Sequence, residues 1–174
     1  MKKLFILLIA VAGFGVNSYA QNSATATANQ AGATIFQSIA ITNPVSMNFG
    51  AAKADGVATK TVILATDGTR TGTATTATIG TAAAAARFDV TGTANATYAI
   101  TLPSDATINL TGPGTQMPVN TFVSALSAGG TNVSTGTLSN VGAQSIYVGA
   151  TLTIGIAQVS GVYSGTYDVT VAYN

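Results

Sequence analysis

The titratable side chains of this 174-residue chain are five aspartates, six tyrosines and four lysines, beside two arginines. Histidine, cysteine, glutamate and tryptophan are absent. That excludes Ser-His-Asp and Cys-His nucleophile arrangements, and zinc sites built on His or Cys. An acid–base pair of carboxyl groups could only be Asp–Asp. Yet Asp55 and Asp67 each stand directly before glycine, in ADG and TDGT, and Asp before Gly is the chemistry of a tight turn. The competing reading of turn aspartates is a weak calcium site. The turn reading is preferred, so no catalytic, cofactor-binding or metal residue is assigned, and the chain is expected to be non-enzymatic.

The remaining charge supports no polyanion partner either. Six Lys and Arg face five Asp, for a formal charge of +1. Two of those cations, Lys2 and Lys3, begin residues 1–20, where an apolar run leads to Ser18-Tyr19-Ala20. A positive start, an apolar middle and small residues at the cleavage positions are the three parts of a secretory signal peptide. Cleavage after Ala20 leaves Lys53, Lys60, Arg70 and Arg87 against the five aspartates, moving the formal charge to −1. Four scattered cations make neither a nucleic-acid footprint nor an anionic-lipid patch. The expected location is extracellular or cell-surface, with passage through the periplasm. Without cysteine no disulfide staples the exported chain, so stability must come from the core and from β-pairing.

The elements that must position everything are strands. The pattern is short apolar alternations broken by Gly, Pro, Asn and Ser, with no convincing helical period. Residues 33–42 place Ile35, Ile39 and Ile41 on one face, and Asn43-Pro44 is expected to turn the chain into a second strand, 45–49. Val62 and Leu64 share a face, as do Phe88 and Val90, then Tyr98, Ile100 and Leu102. Residues 144–157 form the longest strand, with Ile146, Val148, Leu152, Ile154 and Ile156 inward. After a turn at 158–161, the end of the chain alternates Tyr167, Val169, Val171 and Tyr173 against Thr166, Asp168, Thr170 and Ala172. That predicts a half-buried strand closing a terminal hairpin. The whole reads as an all-β, immunoglobulin-like antiparallel β-sandwich of about eight to ten short strands. Residues 1–20 are then a signal peptide, 21–32 an N-terminal extension or donor strand, and 33–174 the sandwich domain.

Several stretches carry a resemblance over nearly the whole mature chain: SATATANQAGATI, MNFG, DGTRTG, RFDVTGTANATYAITLP and IYVGATLTIG, followed by SGVYSGTYDVTVAYN. They resemble the domain-of-unknown-function family 4402 of exported bacterial proteins, which implies export and fold rather than an activity. A second resemblance is to pilin subunits of chaperone–usher pili and to spore coat protein U-like domains. Such subunits carry a glycine fourteen residues from the C-terminus and a penultimate tyrosine, the positions of Gly161 and Tyr173 here. This implies an assembly strand containing Gly161, Tyr167, Val169, Val171 and Tyr173, and a sandwich completed by a neighbour's N-terminal strand. Ala24, Ala26 and Ala28, alternating with Thr25 and Thr27, are the candidate donor. Implied partners are copies of itself or related subunits, and a periplasmic chaperone.

The leading expectation is therefore a structural subunit of a fibre or an adhesive surface. The alternative is a monomeric secreted module binding glycan or protein. A small outer-membrane barrel would need strands of about 9–11 residues and aromatic girdles, and only two stretches are that long, so no stable membrane insertion is expected.

Overall fold

The computed structural model describes residues 24–54, 56–77, 81–105 and 107–174. The leader expected at 1–20 and Asp55 lie outside the described residues. The chain divides into two compact units, Met1–Thr34 and Ile35–Asn174. In the first, the described residues 24–34 form no strand and are exposed.

The second unit is all-β, with every strand pair antiparallel. Its strands among the described residues are β1 (Ala40–Val45), β2 (Ala51–Lys53), β3 (Lys60–Leu64), β4 (Arg70–Gly72), β5 (Thr75–Ala77) and β6 (Ala86–Thr91). They continue with β7 (Thr97–Thr101), β8 (Ile108–Leu110), β9 (Met117–Ala125), β10 (Thr135–Thr137), β11 (Ala143–Ile154) and β12 (Thr170–Tyr173). Seven strands form the main sheet, β10-β7-β12 a second sheet, and β2-β5 a third.

The long alternation of β11 makes it the spine. Ile146, Val148, Ala150, Leu152 and Ile154 are all buried on one face, as a strand with one core-facing side requires. Along one edge β11 pairs first with β6 (Val148 opposite Ala86) and then with β3 (Ala150 opposite Leu64); its other edge pairs with β9. Gly149 sits where β6 gives way to β3, and a Cβ there would strike the Leu64 carbonyl oxygen. Opposite this point β9 bulges, with Thr121 at a φ of 51°. The Thr121 N–H, lost to the ladder, donates to the Asp105 carboxylate instead.

Two apolar clusters result. One holds Phe88, Val90, Ile146 and Val148 of the main sheet with Tyr98 and Ile100 of β7 and Leu138. The other holds Val62, Leu64, Met117, Val119, Ala150, Leu152, Ile154 and Phe49. Three expectations from sequence are corrected. Asn43-Pro44 does not turn the chain: β1 runs through it with a bulge between Thr42 and Val45. Pro44 has no N–H to give, and the Asn43 side-chain amide donates instead to the Val45 and Arg87 carbonyls at 2.8 and 2.9 Å. Ile35 and Ile156, expected inward, are exposed, because the strands start after the first and stop before the second. Finally, no terminal hairpin forms: β12 pairs with β7, Val171 opposite Ile100 and Tyr173 opposite Tyr98.

Candidate functional site

Among the described residues, no three carboxylates gather into a group that could hold a metal ion. Asp67 accepts the N–H and hydroxyl of Thr69 at 2.8 and 2.6 Å, fastening the β3–β4 turn, and the Thr69 hydroxyl, then its N–H, holds the carboxyl below its ordinary range. Asp89 takes the Ser145 hydroxyl at 2.8 Å across the β6–β11 register, and the guanidinium of Arg87 on its own strand at 3.0 Å. Its carboxyl is also lowered, chiefly by Ser145. Both aspartates serve local geometry.

The feature with room for a partner is a cleft of about 950 Å³. Its floor is the second apolar cluster: Leu152 and Ile154 of β11, Met117 and Val119 of β9, and Ile108 and Leu110 of β8. One wall is residues 47–54. It is held by paired backbone bonds between Asn48 and Ala84, each 2.8 Å. The Arg70 guanidinium also donates to the Phe49 and Ala51 carbonyls at 3.2 and 3.0 Å. Within this wall β2 pairs with β5 alone, so one of its edges carries no strand among the described residues.

The opposite wall is residues 158–165 with Tyr167. Here the Gly112-Pro113-Gly114 run does more than turn the chain. A side chain at Gly112 would come within 2.6 Å of the Tyr163 ring, so the glycine makes the seat for that ring. The Gln158 amide donates to the Tyr163 hydroxyl at 2.9 Å, and that hydroxyl donates to the Val159 carbonyl at 2.9 Å. The same Gln158 amide nitrogen bonds the Thr115 carbonyl. These bonds fix the conformation of the loop, with Val159 and Val162 forming a lip that is 52% and 87% exposed. Between Gly161 and Val169 the only backbone ladder contact among the described residues is the two-way bridge of Ser164 with Thr111, at 2.8 and 2.9 Å.

The assembly residues expected from sequence divide between the two ends of this segment. Gly161 and Tyr167 line the cleft. A Cβ on Gly161 would meet the Pro113 ring. The Tyr167 ring packs on Phe122 and Phe88, centroids 5.3 and 6.4 Å apart, and burial pushes its phenol up to about 12. Val169, Val171 and Tyr173 are half-buried against the first cluster, with the expected alternation intact. Tyr173 is tied down at the end of the segment. Its hydroxyl accepts the Thr93 N–H and donates to the Gln37 carbonyl, both at 2.7 Å, and its ring lies 6.3 Å from Phe36. In the first unit, Ala24, Ala26 and Ala28 are exposed and in no strand. Ala28 has a φ of 61°, and the Asn29 side chain donates to the Ala26 carbonyl at 3.0 Å.

A hairpin turn at 158–161, the expectation from sequence, conceals Gln158, Val159, Val162 and Tyr163 as wall residues. The available signal was two valines flanking Ser160-Gly161 in a loop with no strand to bury them.

No curated protein and no solved structure matches this chain. The sequence profile of the family described as Domain of unknown function (DUF4402) matches residues 39–173, a span holding both apolar clusters and the cleft. The chain belongs to the DUF4402 family.

Proposed function

We propose that this is an exported, non-enzymatic structural subunit of a surface fibre or adhesive layer, with an immunoglobulin-like, pilin-like sandwich that lacks one strand. The observation that carries this is the open cleft between β2 and residues 158–167. The first cluster is roofed by β10-β7-β12, whereas the second is left partly uncovered between β2-β5 and the segment that leads into β12. A strand laid in that gap would meet the β2 edge that carries no strand on one side, the irregular backbone of 158–167 on the other and apolar side chains beneath, the ingredients of strand addition. An exposed apolar lip is also what a docking site presents before its partner arrives.

Sedimentation and electron microscopy of the mature protein test this reading. Concentration-dependent oligomers or filaments are expected, together with an N-terminus at Gln21 in protein recovered from the cell envelope. Val162→Asp charges an exposed lip residue, so it should leave the melting temperature unchanged and suppress assembly. A wild-type protein that stays monomeric at all concentrations contradicts the proposal. It would favour the secreted binding module, since the cleft volume of about 950 Å³ also lies in the range of ligand pockets.

A further inference from the structure

We infer that a second, smaller pocket, on the opposite face of the main sheet from the cleft, binds a neutral sugar residue of a glycan. The pocket shares no residue with the cleft, so the inference does not depend on the strand-acceptor reading. It encloses about 380 Å³, within the range of small-molecule sites. Its position follows from strand alternation. Leu152 and Ile154 of β11 point to the core and floor the cleft, whereas Thr151 points the other way, opposite Ile63 of β3. Ile63 is 44% exposed between the buried Val62 and Leu64. Beside this pair the bulged part of β9 brings Thr121 and Val123 to the pocket. Two loops complete it: the β3–β4 turn with Thr66 and Asp67, and the β9–β10 loop with Gly129, Gly130 and Asn132.

The polar groups suit the recognition of hydroxyls. Thr66 is only 5% exposed, yet its hydroxyl has no hydrogen-bond partner among the described residues. A buried hydroxyl without a partner in the chain needs one from outside, and the space Thr66 borders is this pocket. The hydroxyls of Thr121 and Thr151 and the Asn132 amide are likewise uncommitted, and together they can both donate and accept. Asp67 uses Oδ1 for Thr69. Its Oδ2 borders Gly129, where a Cβ would stand 3.6 Å away, and remains a strong acceptor for a ligand O–H. Thr69 holds that carboxyl below its ordinary range, so it is ionised at neutral pH. Among the described residues no Lys or Arg lines the pocket, so an acidic sugar would meet Asp67 without a counter-charge. Ile63 and Val123 supply an apolar patch for the C–H face of a sugar ring.

The walls are set in advance. The Gly130 N–H bonds the Ser127 carbonyl at 3.0 Å, the Val133 N–H the Ser124 carbonyl at 2.8 Å, and the Ala65 N–H the Thr69 carbonyl at 2.9 Å. A site formed before its ligand arrives loses less ordering entropy on binding. Because pocket and cleft lie on opposite faces, a strand in the cleft leaves the pocket open. Assembled copies would then present many weak sites together, and linked weak sites gain avidity.

The test is an amide-resolved NMR titration of dilute mature protein with glucose, galactose, mannose and N-acetylglucosamine, with glucuronate and calcium chloride as controls. At least one neutral sugar should shift Thr66, Asp67, Gly129 and Asn132 together. Thr66→Val keeps the shape and removes the hydroxyl, and Asn132→Ala removes an exposed amide. Each should weaken that binding several-fold without lowering the melting temperature, whereas Val162→Asp at the cleft should leave it unchanged. The inference is overturned by no shift with any neutral sugar, or by shifts confined to cleft residues such as Tyr163. An equal or stronger response to glucuronate, the same shifts from calcium chloride alone, or unaltered affinity in both pocket variants also overturns it. Sedimentation of the same samples separates the two readings. Monomers that bind sugar keep the pocket and reject the fibre; filaments without sugar shifts do the reverse.

Discussion

The Tyr173 hydroxyl donates to the Gln37 carbonyl at 2.7 Å, joining residues 136 positions apart, and accepts the Thr93 N–H at the same distance. One phenol thus ties the entry of β1, the β6–β7 connection and the end of β12 together. The same side chain explains why no substituent fits at Gly92, where a Cβ would meet the Tyr173 hydroxyl oxygen. The C-terminal segment is closed at this end and open at the other, and the functional reading depends on that difference.

Tyr173→Phe should therefore loosen the knot without emptying the core. The Thr93 N–H loses its acceptor and the Gln37 carbonyl its donor. A loss of about 1–2 kcal/mol is expected, read as a lower melting temperature. Amide exchange at Gln37 and Thr93 should accelerate; unchanged exchange at both would contradict the role given to Tyr173.

Tyr98 makes the opposite case. Its side chain is fully buried, its hydroxyl has no hydrogen-bond partner, and it faces Gly136 across the β7–β10 pair. A buried hydroxyl without a partner is a cost that phenylalanine removes. Tyr98→Phe should leave stability unchanged or raise it by up to about 1 kcal/mol, whereas Tyr98→Ala should cost about 3–5 kcal/mol through the cavity left behind. A strongly destabilised Phe variant would reveal a bond to that hydroxyl that this geometry does not contain.

The tyrosines also set an alkaline limit. Burial raises the Tyr167 phenol from 10.0 to about 12 and pushes Tyr98 up as well. Above pH 10 the unfolded chain releases these protons while the folded one retains them, so their contribution is full below pH 10 and falls as pH rises toward 12. Ultraviolet titration of the folded protein should show a late-ionising phenol that Tyr167→Phe removes. Ordinary titration of every tyrosine would contradict the packing described around Phe88 and Phe122.

What could be read from sequence was the facing of strands, and what could not was their partners. The alternations in β6, β7 and β11 are legible because a two-residue period separates buried from wet side chains. The same pattern at Tyr167, Val169, Val171 and Tyr173 gave the right face and the wrong neighbour, since β12 pairs with β7 rather than β11. Facing is local, whereas pairing is decided by which sheet has a free edge. The cleft was invisible for a related reason: its 158–165 wall is irregular backbone, held by Gln158 and Tyr163 through bonds that no periodicity announces.

Gly149 tests the strand exchange along β11. Gly149→Ala forces a Cβ against the Leu64 carbonyl at the point where β6 hands over to β3. The backbone must shift there, with an expected loss of about 1–3 kcal/mol. Denaturant unfolding should show it; a neutral substitution would mean that β6 and β3 do not meet at this residue.

The most direct test of the open cleft is hydrogen exchange across a concentration series of the mature protein. Apart from the Ser164 N–H, held by Thr111, amides on the cleft-facing edge of β2 (Ala51–Lys53) and of residues 161, 162, 163 and 165 should exchange quickly in the dilute monomer. They should gain protection together as subunits assemble, while Val62, Ile146 and Val148 stay protected throughout. Assembly that leaves both walls unprotected, or walls already protected in the dilute monomer, would contradict a strand-accepting cleft.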